Sequence, residues 1–326
     1  MTEYPAISVV MPAYNAGQYI AKSIDSILSQ DFRDFELIIV DDCSMDNTVD
    51  VVLSYKDSRI KLKKTDCNTG SAKLPREIAV EQACAPYICW IDSDDTVDPD
   101  YLSSLLDRKI KTGANIVCSC MFAECGSEQK YTLPDKNFDY GMIISGRDAL
   151  IMTLDFPWRI NLNGWLCDKW LWTAISTFKS TSINHMDADD FSAREILFNA
   201  EKVAFCTAAY HYRLHPEAIT KKISPKKFES VITDRLVLEY LEHNYPLAVR
   251  FIKKSLCKRM IALMRIYVVN NSSLKLSDRL KSKKLLNQYF SKISFSEIWS
   301  AAIPLKSKIL LSLPFSISLA IVKAVN

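Results

Sequence analysis

Three aspartates stand within four residues at Asp92-Ser93-Asp94-Asp95, immediately after the apolar run Tyr87–Ile91 (YICWI). Carboxylates this close repel one another, and a divalent cation relieves the repulsion. Their oxygens suit hard ions, Mg2+ or Mn2+, which keep waters and take phosphate oxygens as their remaining ligands. A second acidic run, Asp41-Asp42-Cys43-Ser44-Met45-Asp46-Asn47-Thr48, follows Leu37–Val40 (LIIV). Adjacent carboxylates behind a buried strand are costly unless hydrogen-bonded. One can accept from a base N–H or a ribose hydroxyl, and the other can bond the start of the next helix, where Asp46 or Asn47 is a natural cap. Behind the first apolar run, Ile7–Met11 (ISVVM), comes Pro12-Ala13-Tyr14-Asn15. Here a proline is expected to end the strand, leaving an aromatic face that can stack on a nucleobase. Arg76 follows Asn68-Thr69-Gly70 and would open a helix, a poor place for a cation in dipole terms. A nearby phosphate would account for it. Taken singly, each feature also reads as an ordinary turn, cap or surface residue.

The elements around these residues give them a common place. The apolar runs above read as buried strands, with Ile60–Leu62 a shorter fourth. Between them, Gly17–Gln30, Asp46–Tyr55 and Arg76–Cys84 have helical spacing, and Ile20, Ile24, Ile27 and Leu28 fall on one face of the first. A further helix is expected over Pro99–Lys111, with Asp98 as N-cap and Pro99 at the first helical position. This alternation predicts an α/β fold with a mainly parallel sheet covered by helices. Ligands in such sheets bind at the carboxyl ends of strands, where every motif above lies. Further on, Asp189–Ala200 has helical spacing and Val203–Thr207 reads as a strand.

The ordered set PAYN, VDDCSMDNT, NTG…R and IDSDD resembles the family 2 glycosyltransferases, inverting enzymes with the GT-A (Rossmann-like) fold, of the kind that assembles bacterial surface polysaccharides. The motifs span Ile7–Asp95, with fainter similarity to about residue 220. The resemblance implies that Tyr14 and Asp41 hold the base, that Pro12, Ala13 and Asn15 belong to the same nucleotide-sugar site, and that Arg76 lies near the nucleotide. It places Asp92 and Ser93 against ribose or nucleotide and Asp94 on a divalent metal, Mn2+ or Mg2+. Family members carry a Glu-Asp pair at the start of a later helix, its Asp serving as catalytic base; Asp189-Asp190 matches it best, with Asp190 as the base. The following segment, Tyr210-His211-Tyr212-Arg213-Leu214-His215, would bring Arg213 to the diphosphate and His215 to the metal. The implied donor is a nucleotide-diphosphate sugar, UDP being commonest among similar enzymes, and the acceptor a glycan or lipid-linked hydroxyl. Departures are Cys43 for a frequent Gly, Glu77 for Asn, Asp189 for Glu and Ala218 for Ser.

Charge divides the chain. Residues 1–220 carry 21 Lys and Arg against 32 Asp and Glu, and residues 221–326 carry 20 against 6. A glycosyltransferase domain over 1–220 and a basic helical region over 221–326 are therefore expected. The apolar stretch Ile309–Val322 is too short to span a bilayer and contains Pro314. With its flanking lysines it fits either a peripheral contact with the inner face of a membrane or an ordinary terminal helix. Ten cysteines form no CxxC pair, and Met1–Pro12 lack the pattern of a signal peptide, both pointing to a cytoplasmic setting. Nothing points to nucleic acid. No GxGxxG follows a strand, which excludes a dinucleotide-binding dehydrogenase. A sugar-phosphate nucleotidyltransferase would need a Gly-rich basic loop where PAYNAGQYI stands. A non-catalytic subunit on the same fold is the other alternative, disfavoured by the presence of both Asp94 and Asp190.

Overall fold

Seven successive buried residues, Ile7–Ala13, form β1, and a second such run, Phe35–Asp41, forms β2 beside it. Strands buried on both faces read as unbroken apolar runs, as strands do inside a sheet covered by helices. The computed structural model describes residues 4–125, 128–135, 137–154, 163–175, 187–214, 223–301 and 303–325. Its further strands are β3 (Ile60–Lys64), β4 (Tyr87–Trp90), β5 (Thr96–Val97), β6 (Ile116–Cys125), β7 (Glu128–Leu133), β8 (Ile143–Ile144), β9 (Leu166–Asp168) and β10 (Val203–Arg213). They form one sheet of order β3-β2-β1-β4-β9-β6-β10-β5, with β7 on β6 and β8 on β10. The pairs β3/β2, β2/β1, β1/β4 and β6/β10 are parallel, whereas β9 runs antiparallel to both neighbours. The fold class is the mixed, mainly parallel sheet flanked by helices that the sequence leads one to expect.

Helices α1 (Ile20–Leu28), α2 (Thr48–Ser54), α3 (Lys73–Gln82), α4 (Tyr101–Thr112), α5 (Gly146–Leu154), α6 (Lys169–Ala174) and α7 (Ala188–Asn199) accompany the strands. Ile20, Ile24 and Ile27 of α1 are fully buried in a core shared with Val9, Met11, Leu37, Ile39 and Leu105. Trp90 at the end of β4 stacks on Trp165 and meets Trp172 edge-on. The chain divides into two compact units. One comprises Met1–Thr153, Trp158–Asn184 and Ser192–His215; the other comprises Leu154–Pro157, His185–Phe191 and Pro216–Asn326. The second unit contributes α8 (Ser230–Asn244), α9 (Val249–Asn270), α10 (Leu276–Phe290), α11 (Phe295–Ser300), α12 (Leu305–Ser312) and α13 (Phe315–Val325). Pro314 separates α12 from α13, and among the described residues no helix is long and apolar enough to cross a membrane.

Three local expectations are corrected. Pro12 does not end the first strand; it pairs with Val40 inside β1. Val10 accepts from the Ile91 N–H on the β4 side, and Pro12 is the next residue facing that side, beyond the last β4 partner. Its missing N–H therefore breaks no ladder bond. The helix after β5 starts at Tyr101 with Asp100 at its N-cap, because the Asp98 carbonyl accepts from the Tyr101 N–H and the Asp98 carboxylate binds His211. Arg76 is the fourth residue of α3, which starts at Lys73.

Candidate active site

Because β1, β2 and β4 are parallel, their carboxyl ends gather at one edge of the sheet and carry the first three motifs with them. Pro12 and Ala13 are buried in β1, and Tyr14 emerges 40% exposed. Asn15 takes a left-handed backbone, φ +50°. Its Oδ1 accepts from the Met45 N–H at 2.8 Å, and its own N–H donates to Ser44 Oγ at 2.9 Å. Asn15 thus pins the loop after β2. Cys43 in that loop has φ +62°, a conformation that glycine adopts without strain.

The two carboxylates after β2 do different work. Asp42 does not bond the start of α2; it holds the 65–69 segment instead. It accepts from Thr65 Oγ1, Asn68 Nδ2, and the N–H and Oγ1 of Thr69, all within 3.0–3.2 Å. Gly70 then turns with φ +87°. Asp46, as expected, serves the helix start, accepting from the Thr48 N–H and hydroxyl. Asp41 is 1% exposed. Its Oδ2 accepts from the Ser44 N–H at 3.1 Å, while its Oδ1 is buried with no hydrogen-bond partner. An unmet acceptor of this kind costs about 1–3 kcal/mol, which a ligand N–H would recover.

The acidic triplet after β4 resolves its repulsion largely within the protein. Asp92 Oδ1 lies 2.6 Å from the Arg76 guanidinium, and Oδ2 accepts from Asn163 at 3.4 Å. The cation expected to sit beside a phosphate is therefore held by a carboxylate, and it also lies 5.7 Å over the Trp90 ring. Ser93 is buried, its carbonyl accepting from Ser23 Oγ. Asp95 has no exposed surface; Tyr210 Oη donates to its Oδ2 at 2.7 Å and the Arg213 N–H to its Oδ1 at 2.8 Å. Burial, followed by the Asp94 and Asp92 charges, pushes the Asp95 carboxyl well above the usual carboxylate range. The Tyr210 hydroxyl also accepts from the Asp92 N–H at 3.2 Å, so one phenol ties both ends of the triplet to β10. Arg213 Nε donates to the Asp94 carbonyl at 2.8 Å, with its guanidinium over Tyr19.

Among the described residues, no group of three or more His, Cys, Asp or Glu side chains is arranged to hold a metal. Asp92 and Asp95 are bound to protein donors. The ligands that the family resemblance implies for a cation are Asp94 and His215, the latter outside the described residues, as is Ala218. One carboxylate with an imidazole suits an ion that draws its remaining ligands from a diphosphate and water. Asp189 and Asp190 lie in the first turn of α7, within the second unit, half-buried.

Asp95, Tyr210 and His211 were not singled out from the sequence. His211 sits between Glu124, 2.8 Å from Nδ1, and Asp98, 2.8 Å from Nε2. Burial disfavours its charge, but the two carboxylates outweigh burial and raise its pKa above the ordinary value. The stabilisation this supplies is complete below the unfolded value of about 6.5 and is lost as pH rises through the folded value. His211→Gln should therefore cost urea resistance at about pH 6 and progressively less towards about pH 9. A cost that does not change with pH would contradict this account.

Comparison with known proteins accords with this geometry. Residues 8–163, just under half of the chain, match the model of glycosyl transferase family 2. An uncharacterized glycosyltransferase of Haemophilus influenzae is 34% identical over 155 residues, covering 46% of this chain and 61% of that protein. The poly(ribitol-phosphate) beta-N-acetylglucosaminyltransferase TarS of Staphylococcus aureus is 36% identical over 98 residues, 29% of this chain and 17% of that one. The matches thus span less than two thirds of the length of these relatives. The crystal structure of S. aureus TarS 1-349 superposes with a TM-score of 0.71 at 18% identity, covering 98% of this chain and 90% of that one. The same segment of TarS has been crystallised with UDP and with UDP-GlcNAc.

Proposed function

We propose that this protein is an inverting glycosyltransferase that moves a sugar from a nucleotide-diphosphate donor, a UDP-sugar, to a hydroxyl of a glycan or lipid-linked acceptor. The observation that carries the reading is the unmet, buried Oδ1 of Asp41 at the sheet edge where Tyr14 emerges. A uracil ring stacked on Tyr14 would place an N–H against that oxygen. The family match and the UDP-GlcNAc complex of TarS support the same donor class.

In the reaction, Asp190 takes the proton of the acceptor hydroxyl as its oxygen bonds to the anomeric carbon and the bond to the diphosphate breaks. A single displacement inverts the anomeric centre. Asp92, set by Arg76, contacts the nucleotide together with Ser93. Arg213, oriented by the Asp94 carbonyl, faces the charge that develops on the leaving diphosphate. Asp94 and His215 would hold a Mn2+ or Mg2+ ion, which supplies charge neutralisation to the diphosphate when bound.

The decisive test is hydrolysis of a panel of nucleotide sugars by the purified chain, with and without Mn2+. Turnover of one UDP-sugar, abolished by chelation and by Asp94→Ala, is expected. Release of pyrophosphate from a nucleoside triphosphate, or no turnover of any donor, would overturn the reading.

The second unit suits a peripheral contact with an anionic membrane, as enzymes acting on lipid-linked acceptors require. Its region 221–326 carries 20 Lys and Arg against 6 Asp and Glu, and Ile317, Ile321 and Val325 are exposed along α13. Sedimentation with phosphatidylglycerol vesicles should therefore be strong at low salt and fall as salt rises, and binding to neutral vesicles should be weak. Absence of binding at low salt would refute the contact.

A further inference from the structure

The turn that presents Asp189 and Asp190 is not held by its own local preferences. Asp187, the residue before α7, has φ +63°, a left-handed backbone that L side chains seldom adopt. Such a residue persists only where its surroundings over-determine it. The surroundings here come from α8 and α9. The Asp187 carbonyl accepts from the Asp190 N–H at 3.1 Å and from Thr233 Oγ1 of α8 at 3.2 Å. Its carboxylate lies 3.6 Å from Arg259 Nη1 of α9. Arg259 Nε in turn donates to Asp234 Oδ2 at 2.6 Å, and Asp234 is fully buried on α8. Phe191, next to Asp190, packs edge-on against Tyr240 of α8.

The guanidinium is therefore fixed from below by a carboxylate with no exposure and faces the aspartate-rich turn. After the opposing effect of burial, its strongest electrostatic partners are Asp234, Asp187 and Asp190, in that order. Lys227 adds a further positive charge facing Asp187. A planar, permanently charged fork clamped on one side can orient a turn on the other, which a flexible ammonium does less well.

We propose that Arg259, locked by Asp234 and assisted by Thr233, is a positioning residue for the general base. The helical region after residue 221 is then part of the catalytic apparatus as well as an appendage. The inference rests on Asp190 being the base.

The test compares full-length Arg259→Gln, Arg259→Lys, Thr233→Val and Asp190→Asn. Readouts are turnover of the nucleotide sugar processed fastest in the panel above, UDP affinity by calorimetry, and thermal melting. Arg259→Gln should lower kcat at least tenfold with UDP affinity within twofold of the parent, and Lys should recover part of the loss. Should Arg259→Gln fail to fold, Thr233→Val carries the test: it removes the hydroxyl donor to Asp187 and should still lower kcat several-fold at unchanged UDP affinity. A folded Arg259→Gln with parental kcat, a parallel loss of UDP affinity, or no recovery with Lys would overturn the proposal, as would an unaffected Thr233→Val. An active Asp190→Asn would instead remove the base assignment itself, so the two failures are distinguishable.

Discussion

Replacing Asp190 by Asn should lower sugar transfer by about 10³-fold while leaving UDP affinity and melting temperature nearly unchanged. The amide keeps the size of the carboxylate and can hydrogen-bond the acceptor, but it cannot take the proton as the new bond forms. Two acidic residues share this turn, and the ordinary role of both is to complement the positive end of the α7 dipole, which is worth about 0.3–1 kcal/mol each. Asp189→Asn should lose the same small stability as Asp190→Asn. Only the latter should lose turnover, and that contrast separates proton transfer from helix capping. Comparable activity losses in both, or none in Asp190→Asn, would show that the pair serves the helix.

The parts of this fold that could be read along the chain are those governed by local patterning. β1, β2 and β4 are buried on both faces, so their composition alone marks them. The acidic motifs follow them directly. Helix starts were misplaced where a side chain chose a distant partner over the cap: Asp98 binds His211 and leaves α4 to begin after Asp100. What could not be read is pairing across long separations. Asp95 and Tyr210 are 115 residues apart, and Asp92 and Arg76 meet across a helix and a strand. Three adjacent acids therefore suggested a cation as their common remedy. An arginine instead answers Asp92, and a phenol with a backbone N–H answers Asp95. The division between Asp41 and Asp42 was equally hidden, because neighbours of identical chemistry are distinguished only by which backbone N–H groups the following loops bring back to them.

That division leads to the second large effect. Asp41→Asn should weaken UDP binding roughly 10- to 100-fold, about 1.5–3 kcal/mol for a lost hydrogen bond to a charged group. The melting temperature should hold or rise. In the free protein Asp41 Oδ1 has no partner, so replacing the carboxylate relieves a buried charge without breaking a protein bond there. The cost comes with the ligand. An asparagine has one oxygen, and the Ser44 N–H already needs it. Its Nδ2 would then confront the base N–H, donor against donor; turned over, it would serve the base and abandon Ser44. Asp42→Asn should behave in the opposite way, because four groups of the 65–69 segment donate to that carboxylate and the amide cannot accept from all of them. It should lower the melting temperature and affect UDP only through the disturbed loop. Calorimetry with UDP and thermal unfolding of the two variants decide the matter. If Asp41→Asn binds UDP as the parent does, the buried oxygen is not the base receptor, and the donor must be held elsewhere on the sheet edge.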